Sequence, residues 1–182
     1  MLVIIYSMCS YLLGTCMTAA LVGKVYGVSL ANEHSGNLGA RNAGRTLGKM
    51  AFVWTAAGDV LKGVIIVMAA HVLGFPDYIA ALGLTCGLLG HLYPFWLRFH
   101  GGKGVATLLG GLVVLEPLLL IGVLVMIGIG YLLTRSLTLG FVISVLALTA
   151  GILIFYPAYS VLLLALAAVL LKHRTNIQER WR

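Results

Sequence analysis

The sequence predicts an all-α integral membrane protein with seven transmembrane helices, some of them short or tilted, and three observations carry that prediction. Of its 182 residues, 61% are apolar and only 9% charged, with a mean hydropathy of +1.06. A soluble core of this size cannot hide so much apolar surface. The apolar residues fall into seven segments divided by short polar or glycine-rich stretches, and the basic residues gather on one side of those segments. That asymmetry is the positive-inside pattern of a polytopic protein.

Each element follows in order. Leu2–Gly23 has no Lys or Arg before it and exceeds a signal-peptide core, so it is expected to remain as the first span. Lys24 to Lys49 is the longest polar stretch, rich in Gly, Asn and Ser, which is a loop composition. Met50–Gly74 is the second span; Asp59 and Lys62 lie three apart on it, as a partnered pair facing the bundle interior would. His71 sits at its outer end as an interfacial side chain. Tyr78–Leu97 is the third span, and His91 inside it needs a hydrogen-bond partner, for packing or for catalysis. Val105–Leu115 and Pro117–Leu133 flank Glu116-Pro117. The first of these covers about 16 Å at 1.5 Å per residue, so the two could form one kinked helix. Leu139–Phe155 and Ala158–Leu171 complete the series.

Charge placement favours seven segments over six. With seven, the loops after the first, third, fifth and seventh share one face and hold Lys24, Arg41, Arg45, Lys49, Arg98, Lys103, Arg135, Lys172, Arg174, Arg180 and Arg182. Those are all the basic residues except Lys62, which puts the amino terminus outside and the carboxyl terminus in the cytoplasm. No internal repeat or linker is visible, so residues 1–182 are expected to form a single domain. The net charge of +7 does not point to nucleic acid, because no basic stretch carries interleaved aromatics on a polar face. Cys9, Cys16 and Cys86 lie inside apolar segments without metal-ligand spacing and read as small core residues. No metal site and no cofactor are expected.

Three stretches carry chemistry, all on the basic face. In Ser35-Gly36-Asn37-Leu38-Gly39-Ala40-Arg41-Asn42-Ala43-Gly44-Arg45, glycines let the backbone approach a ligand and turn its amides toward an anion, onto which Arg41 or Arg45 could fork. The second stretch is Gly90-His91-Leu92-Tyr93-Pro94 followed by Arg98-Phe99-His100-Gly101-Gly102-Lys103-Gly104-Val105-Ala106-Thr107. It runs a glycine turn and a lysine into a helix start, a ready anion site without Walker A spacing. The third is Lys172-His173-Arg174-Thr175-Asn176-Ile177, in which His173 and Asn176 share a face if the last helix continues. The alternative for each is a polar loop whose basic residues merely fix topology.

Together, SGNLGARNAGRTLG, GHLYPFWLRFHGGKGVAT and HRTNI resemble the PlsY family of bacterial acyl-phosphate:glycerol-3-phosphate acyltransferases, in order and spacing over nearly the whole chain. The resemblance implies a multi-pass bacterial plasma-membrane enzyme with its active site facing the cytoplasm, working as a monomer. It would transfer a fatty acyl group from acyl phosphate to the sn-1 hydroxyl of glycerol 3-phosphate. It also implies a phosphate-binding loop on Ser35, Gly36, Asn37, Asn42 and Arg45, a lysine loop on Gly102, Lys103 and Gly104 beside Gly101, and a tail pair on His173 and Asn176. Acyl phosphate is already activated, so positioning and anion stabilisation matter more than a nucleophilic side chain, and no Gly-x-Ser-x-Gly elbow is present. None of the five histidines is followed by Asp at the spacing used by acyl-CoA-dependent enzymes of phospholipid synthesis. The alternative is a phosphate-ester or lipid-phosphate transporter built on the same loops.

The chain departs from the family pattern at several places. The family's Asp-Ile-Arg group reads Ser29-Leu30-Ala31, the Gly before its Ser is His34, and a usual Thr is Arg41. Its two serines beyond an Arg between the fifth and sixth segments correspond to Thr138, which can still donate a hydrogen bond, and Phe141, which cannot. Its ending is replaced by Gln178-Glu179-Arg180-Trp181-Arg182. These changes suggest a divergent member.

Overall fold

The computed structural model describes residues 1–178, with side chains through Arg174, and the regular structure among them is helical. The first span is broken: α1 (Leu2–Thr15) and α2 (Thr18–Val25) part at Cys16 and Met17, whose extended backbone interrupts the hydrogen-bond ladder. Lys62 bridges the break, its Nζ donating to the carbonyls of Gly14 at 3.2 Å and Cys16 at 2.9 Å while lying 3.0 Å from Asp59 Oδ1. The expected Asp59–Lys62 pair is formed. Its cation also satisfies carbonyls that a broken helix in a membrane would otherwise leave unpaired.

A short helix, α3 (Ala40–Leu47), joins α4 (Lys49–Val72) through Gly48 at φ +91°. α5 (Asp77–Leu92) stops at Tyr93, and Phe95–Leu97 form a separate 3₁₀ turn. α6 (Val105–Leu115) and α7 (Pro117–Thr134) are two helices rather than one kinked helix. Glu116 is extended between them; its carboxylate accepts the Leu118 amide at 3.4 Å and Pro117 takes the first helical position. α8 (Leu137–Phe155) is capped by Ser136 Oγ, which accepts the Leu139 amide at 3.4 Å. A 3₁₀ turn at Pro157–Tyr159 leads to α9 (Leu162–Gln178), which begins later than the expected Ala158 and runs past Leu171. Among the described residues, five spans are long and apolar enough to cross a membrane: Leu2–Val25, Lys49–Val72, Asp77–Leu97, Pro117–Thr134 and Leu137–Phe155. Val105–Leu115 is a shorter apolar helix.

Helices approach closely at glycines, as expected where lipid supplies no hydrophobic drive and packing must. A Cβ on Gly14 of α1 would collide with the Gly87 backbone of α5, one on Gly63 of α4 with the Thr107 carbonyl of α6, and one on Gly130 of α7 with Gly140 of α8. The main core joins Leu84, Leu88 and Leu92 of α5 to Leu108 and Leu112 of α6 and Leu166 and Val169 of α9. A smaller cluster of Met17, Ala19, Leu30, Leu38, Ala43 and Ala51 underlies the first polar loop. Large apolar side chains such as Leu124, Leu133 and Ile154 point outward, the arrangement a bilayer requires. Cys9 and Cys16 are exposed and Cys86 half-buried, so the expectation of core cysteines is corrected. Cys9 lies on the exposed face of α1, and Cys16, also exposed, sits in the break that follows it.

Candidate active site

The first loop is built by Asn42. Buried on α3, its amide nitrogen donates to the carbonyls of Leu30 at 2.9 Å and Glu33 at 3.1 Å, and Ser35 Oγ lies 3.4 Å from its Oδ1. Both amide hydrogens are thereby committed to shaping the loop, which turns through His34 at φ +45° and Gly36 at φ +63°. The Asn37 side chain packs against Gly39, the residue that starts α3. Ser35, Gly36, Arg41 and Arg45 are exposed.

The second loop is clamped to α5. The Gly101 amide donates to Leu92 O at 3.2 Å and the Gly102 amide to His91 O at 3.0 Å. These two amides are therefore spent on α5. The first amides of α6, from Val105 to Thr107, have no intrahelical acceptor and form the helix start that the sequence offers as an anion site. Gly104 initiates α6 at φ +79°, a left-handed position that suits glycine, with Leu92, Leu88 and Val169 against it.

The three stretches meet. A Cβ on Gly102 would lie 3.0 Å from the Leu38 carbonyl of the first loop. Lys172, at the end of α9, donates to Phe99 O at 3.4 Å and sits 4.5 Å above the Tyr93 ring, tying the tail to the second loop. His173 is buried beyond the apolar part of α9, and its Nδ1 lies 2.8 Å from Val169 O. A carbonyl only accepts, so Nδ1 carries the proton and Nε2 is left as an acceptor. Burial, then the charges of Lys103 and Arg41, hold this imidazole below the ordinary histidine range, against the opposing effect of the Val169 bond. A cation from each loop therefore acts on the tail histidine.

Arg45 lies one turn beyond Arg41 on α3. With Lys49, Gly44, Phe52 and Val53 the two arginines line an open hollow of about 520 Å³. Its lining combines three cations with the apolar Phe52 and Val53 of α4, which suits an anionic head on an apolar chain. Among the described residues no group of three or more His, Cys, Asp or Glu could hold a metal ion.

The family model for glycerol-3-phosphate acyltransferase matches residues 4–182 of this sequence. The chain belongs to the glycerol-3-phosphate acyltransferase family. Curated members include one from Trichlorobacter lovleyi, 38% identical over 93% of this chain and 89% of its own length. Another, from Geotalea daltonii, is 41% identical with the same coverages, and a third, from Bacillus cereus, is 36% identical over 92% of this chain and 91% of its own. The crystal structure of PlsY (YgiH), an integral membrane glycerol 3-phosphate acyltransferase, in its glycerol 3-phosphate form covers all of this chain and 92% of that one, with a TM-score of 0.87 at 28% identity. The form with lysophosphatidic acid superposes with a TM-score of 0.86 at 29% identity.

Thr138 is half-buried in the first turn of α8, three residues before Phe141. Phe141, the non-polar departure, is buried with its ring 4.9 Å from the His173 ring, a contact the sequence reading missed. Lys49 of the hollow was also not among the expected site residues, whereas His91, singled out with packing and catalysis both open, lies beneath the second loop. Long-range packing leaves no local signal for the Phe141 contact or for Lys49. α9 runs through position 176, but the side chain of Asn176 lies outside the described residues, as do those of Arg180 and Arg182.

Proposed function

We propose that this glycerol-3-phosphate acyltransferase takes its acyl group from acyl phosphate. It delivers it to the sn-1 hydroxyl of glycerol 3-phosphate, yielding lysophosphatidic acid and inorganic phosphate on the cytoplasmic face of a bacterial plasma membrane. The observation that carries this reading is the meeting of the three stretches, with Lys103 and Arg41 near enough to lower the pKa of His173 and Arg41 also lining the cation-edged hollow. Arg41, Arg45 and Lys103 hold the two substrate phosphates. Ser35, Gly36, Asn37 and Asn42 form the loop that presents these arginines, while Gly101, Gly102 and Gly104 form the one that presents Lys103. His173 and Asn176 orient glycerol 3-phosphate, and Thr138 contributes a hydroxyl at the start of α8. The chain acts as one domain of seven crossings, amino terminus outside, as a monomer, without cofactor or nucleic acid.

The sn-1 oxygen bonds to the acyl carbon, the bond from that carbon to the phosphate oxygen breaks, and phosphate leaves with its electron pair. The hydroxyl proton passes to His173 Nε2 or to a phosphate oxygen of the donor. Negative charge grows on the leaving phosphate, where fixed cations at the edge of the membrane act more strongly than in water.

Purified protein supplied with palmitoyl phosphate and glycerol 3-phosphate should release phosphate and form lysophosphatidic acid, whereas palmitoyl-CoA should give none and Lys103→Ala should abolish the product. Product from palmitoyl-CoA, or undiminished product from the variant, would overturn the donor or the site respectively.

A further inference from the structure

His91 holds the second loop in two ways. Its carbonyl accepts the Gly102 amide at 3.0 Å, and its ring lies so close to Gly102 that a Cβ there would collide with Nε2. Gly102 is thus a glycine because the imidazole occupies the space a side chain would need, and the next residue along the chain is Lys103. The other edge of the ring faces α4, with Nδ1 3.8 Å from Asp59 Oδ1, both side chains about 3% exposed. Nδ1 has no hydrogen-bond partner among the described residues. Asp59 is itself fixed by Lys62 at 3.0 Å, and Lys62 by the break in the first span through Gly14 O and Cys16 O.

A buried imidazole and carboxylate inside spanning helices are costly, and leucines would pack there at lower cost. Nothing in the reaction described above uses them. What they do geometrically is run a line of contacts from the broken first span through α4 and α5 to the glycine that precedes Lys103.

We propose that His91, oriented by Asp59, is a positioning residue that fixes the Gly101–Gly104 loop and with it Lys103 for acyl transfer. His91 touches no substrate and acts through Gly102. The proposal rests on the functional reading above only for its kinetic consequence; the clamp on the loop is a property of the fold.

The test compares His91→Leu, which keeps bulk against Gly102 but loses Nδ1, with His91→Asn, whose side-chain amide can reach toward Asp59. Two readouts are needed: kcat and KM for each substrate, and amide hydrogen exchange across residues 100–105, with melting temperature in detergent confirming folded protein. Misplacement of Lys103 on the scale of 1 Å predicts a loss in kcat/KM of about tenfold to a hundredfold for His91→Leu. Exchange should quicken in that segment and leave the rest of α5 and α6 unchanged. His91→Asn should recover both to within about threefold of wild type. Unchanged exchange and turnover in His91→Leu would overturn the proposal, as would a His91→Asn variant no better than His91→Leu. A wild-type protein inert toward acyl phosphate that still shows the local exchange response would sink the functional reading and keep the clamp. Should His91→Leu fail to fold, the same comparison is made between His91→Asn and wild type in an Asp59→Asn background. There His91→Asn should lose the near-wild-type turnover and exchange that it shows beside Asp59, and their retention would overturn the role of Asp59.

Discussion

Two side chains set testable chemistry at the scale of the residue. His173 is kept neutral by burial and by Lys103 and Arg41. Because its folded pKa lies below the ordinary 6.5, the neutral form persists as pH falls through that value and is lost only below it. Removing Arg41 withdraws one of the lowering charges, so the pKa rises and the neutral form disappears at a higher pH. The acidic limb of the kcat/KM profile of Arg41→Ala is therefore expected to move upward relative to wild type; a limb that stays in place would separate Arg41 from His173. The second side chain is His34. It adopts φ +45° where no Cβ is favoured, and the family pattern has glycine there. His34→Gly should raise stability by about 1 kcal/mol, read as a higher melting temperature in detergent.

Several helix pairs approach at glycines, beside the leucine core that α5, α6 and α9 share. Gly63 of α4 sits against α6 backbone, whereas Gly122 of α7 has nothing within 4 Å of an added Cβ. Gly63→Leu should force α4 from α6 and cost about 1–3 kcal/mol or more, and Gly122→Leu should cost almost nothing. Equal melting temperatures for the two would contradict the packing. The local grammar of these elements was readable beforehand: Val105–Leu115 matches the expected segment end for end, and Glu116-Pro117 separates two helices as a cap and a first-turn proline should. The break at Cys16 and Met17 was not readable, because no proline marks it, Gly14 just before it reads as one more small residue of an apolar run, and its carbonyls are answered by Lys62 from another helix.

Across the whole molecule, the distribution of basic residues makes a prediction about orientation. In a protein cleared of Cys9, Cys16 and Cys86, a single cysteine at position 34 or 100 should react with a membrane-impermeant thiol reagent only from the cytoplasmic side. One at position 75 or 157 should react only from outside. Labelling of all four from one side would dismiss the seven-crossing topology.

By itself the sequence determined that the protein lives in a bilayer, where most of its helices lie, and which three polar stretches the fold brings together. These follow from the length of apolar runs and from local turn and cap chemistry, which act between near neighbours in the chain. Only the tertiary structure decided that Arg41, Lys103 and His173 act on one another, that Phe141 covers the His173 ring, that Asn42 spends its amide on the loop rather than on a ligand, and that His91 clamps Gly102. Most of these contacts join residues tens of positions apart, brought together by helix packing at glycines. A partner chosen in three dimensions leaves no periodicity in the sequence around it.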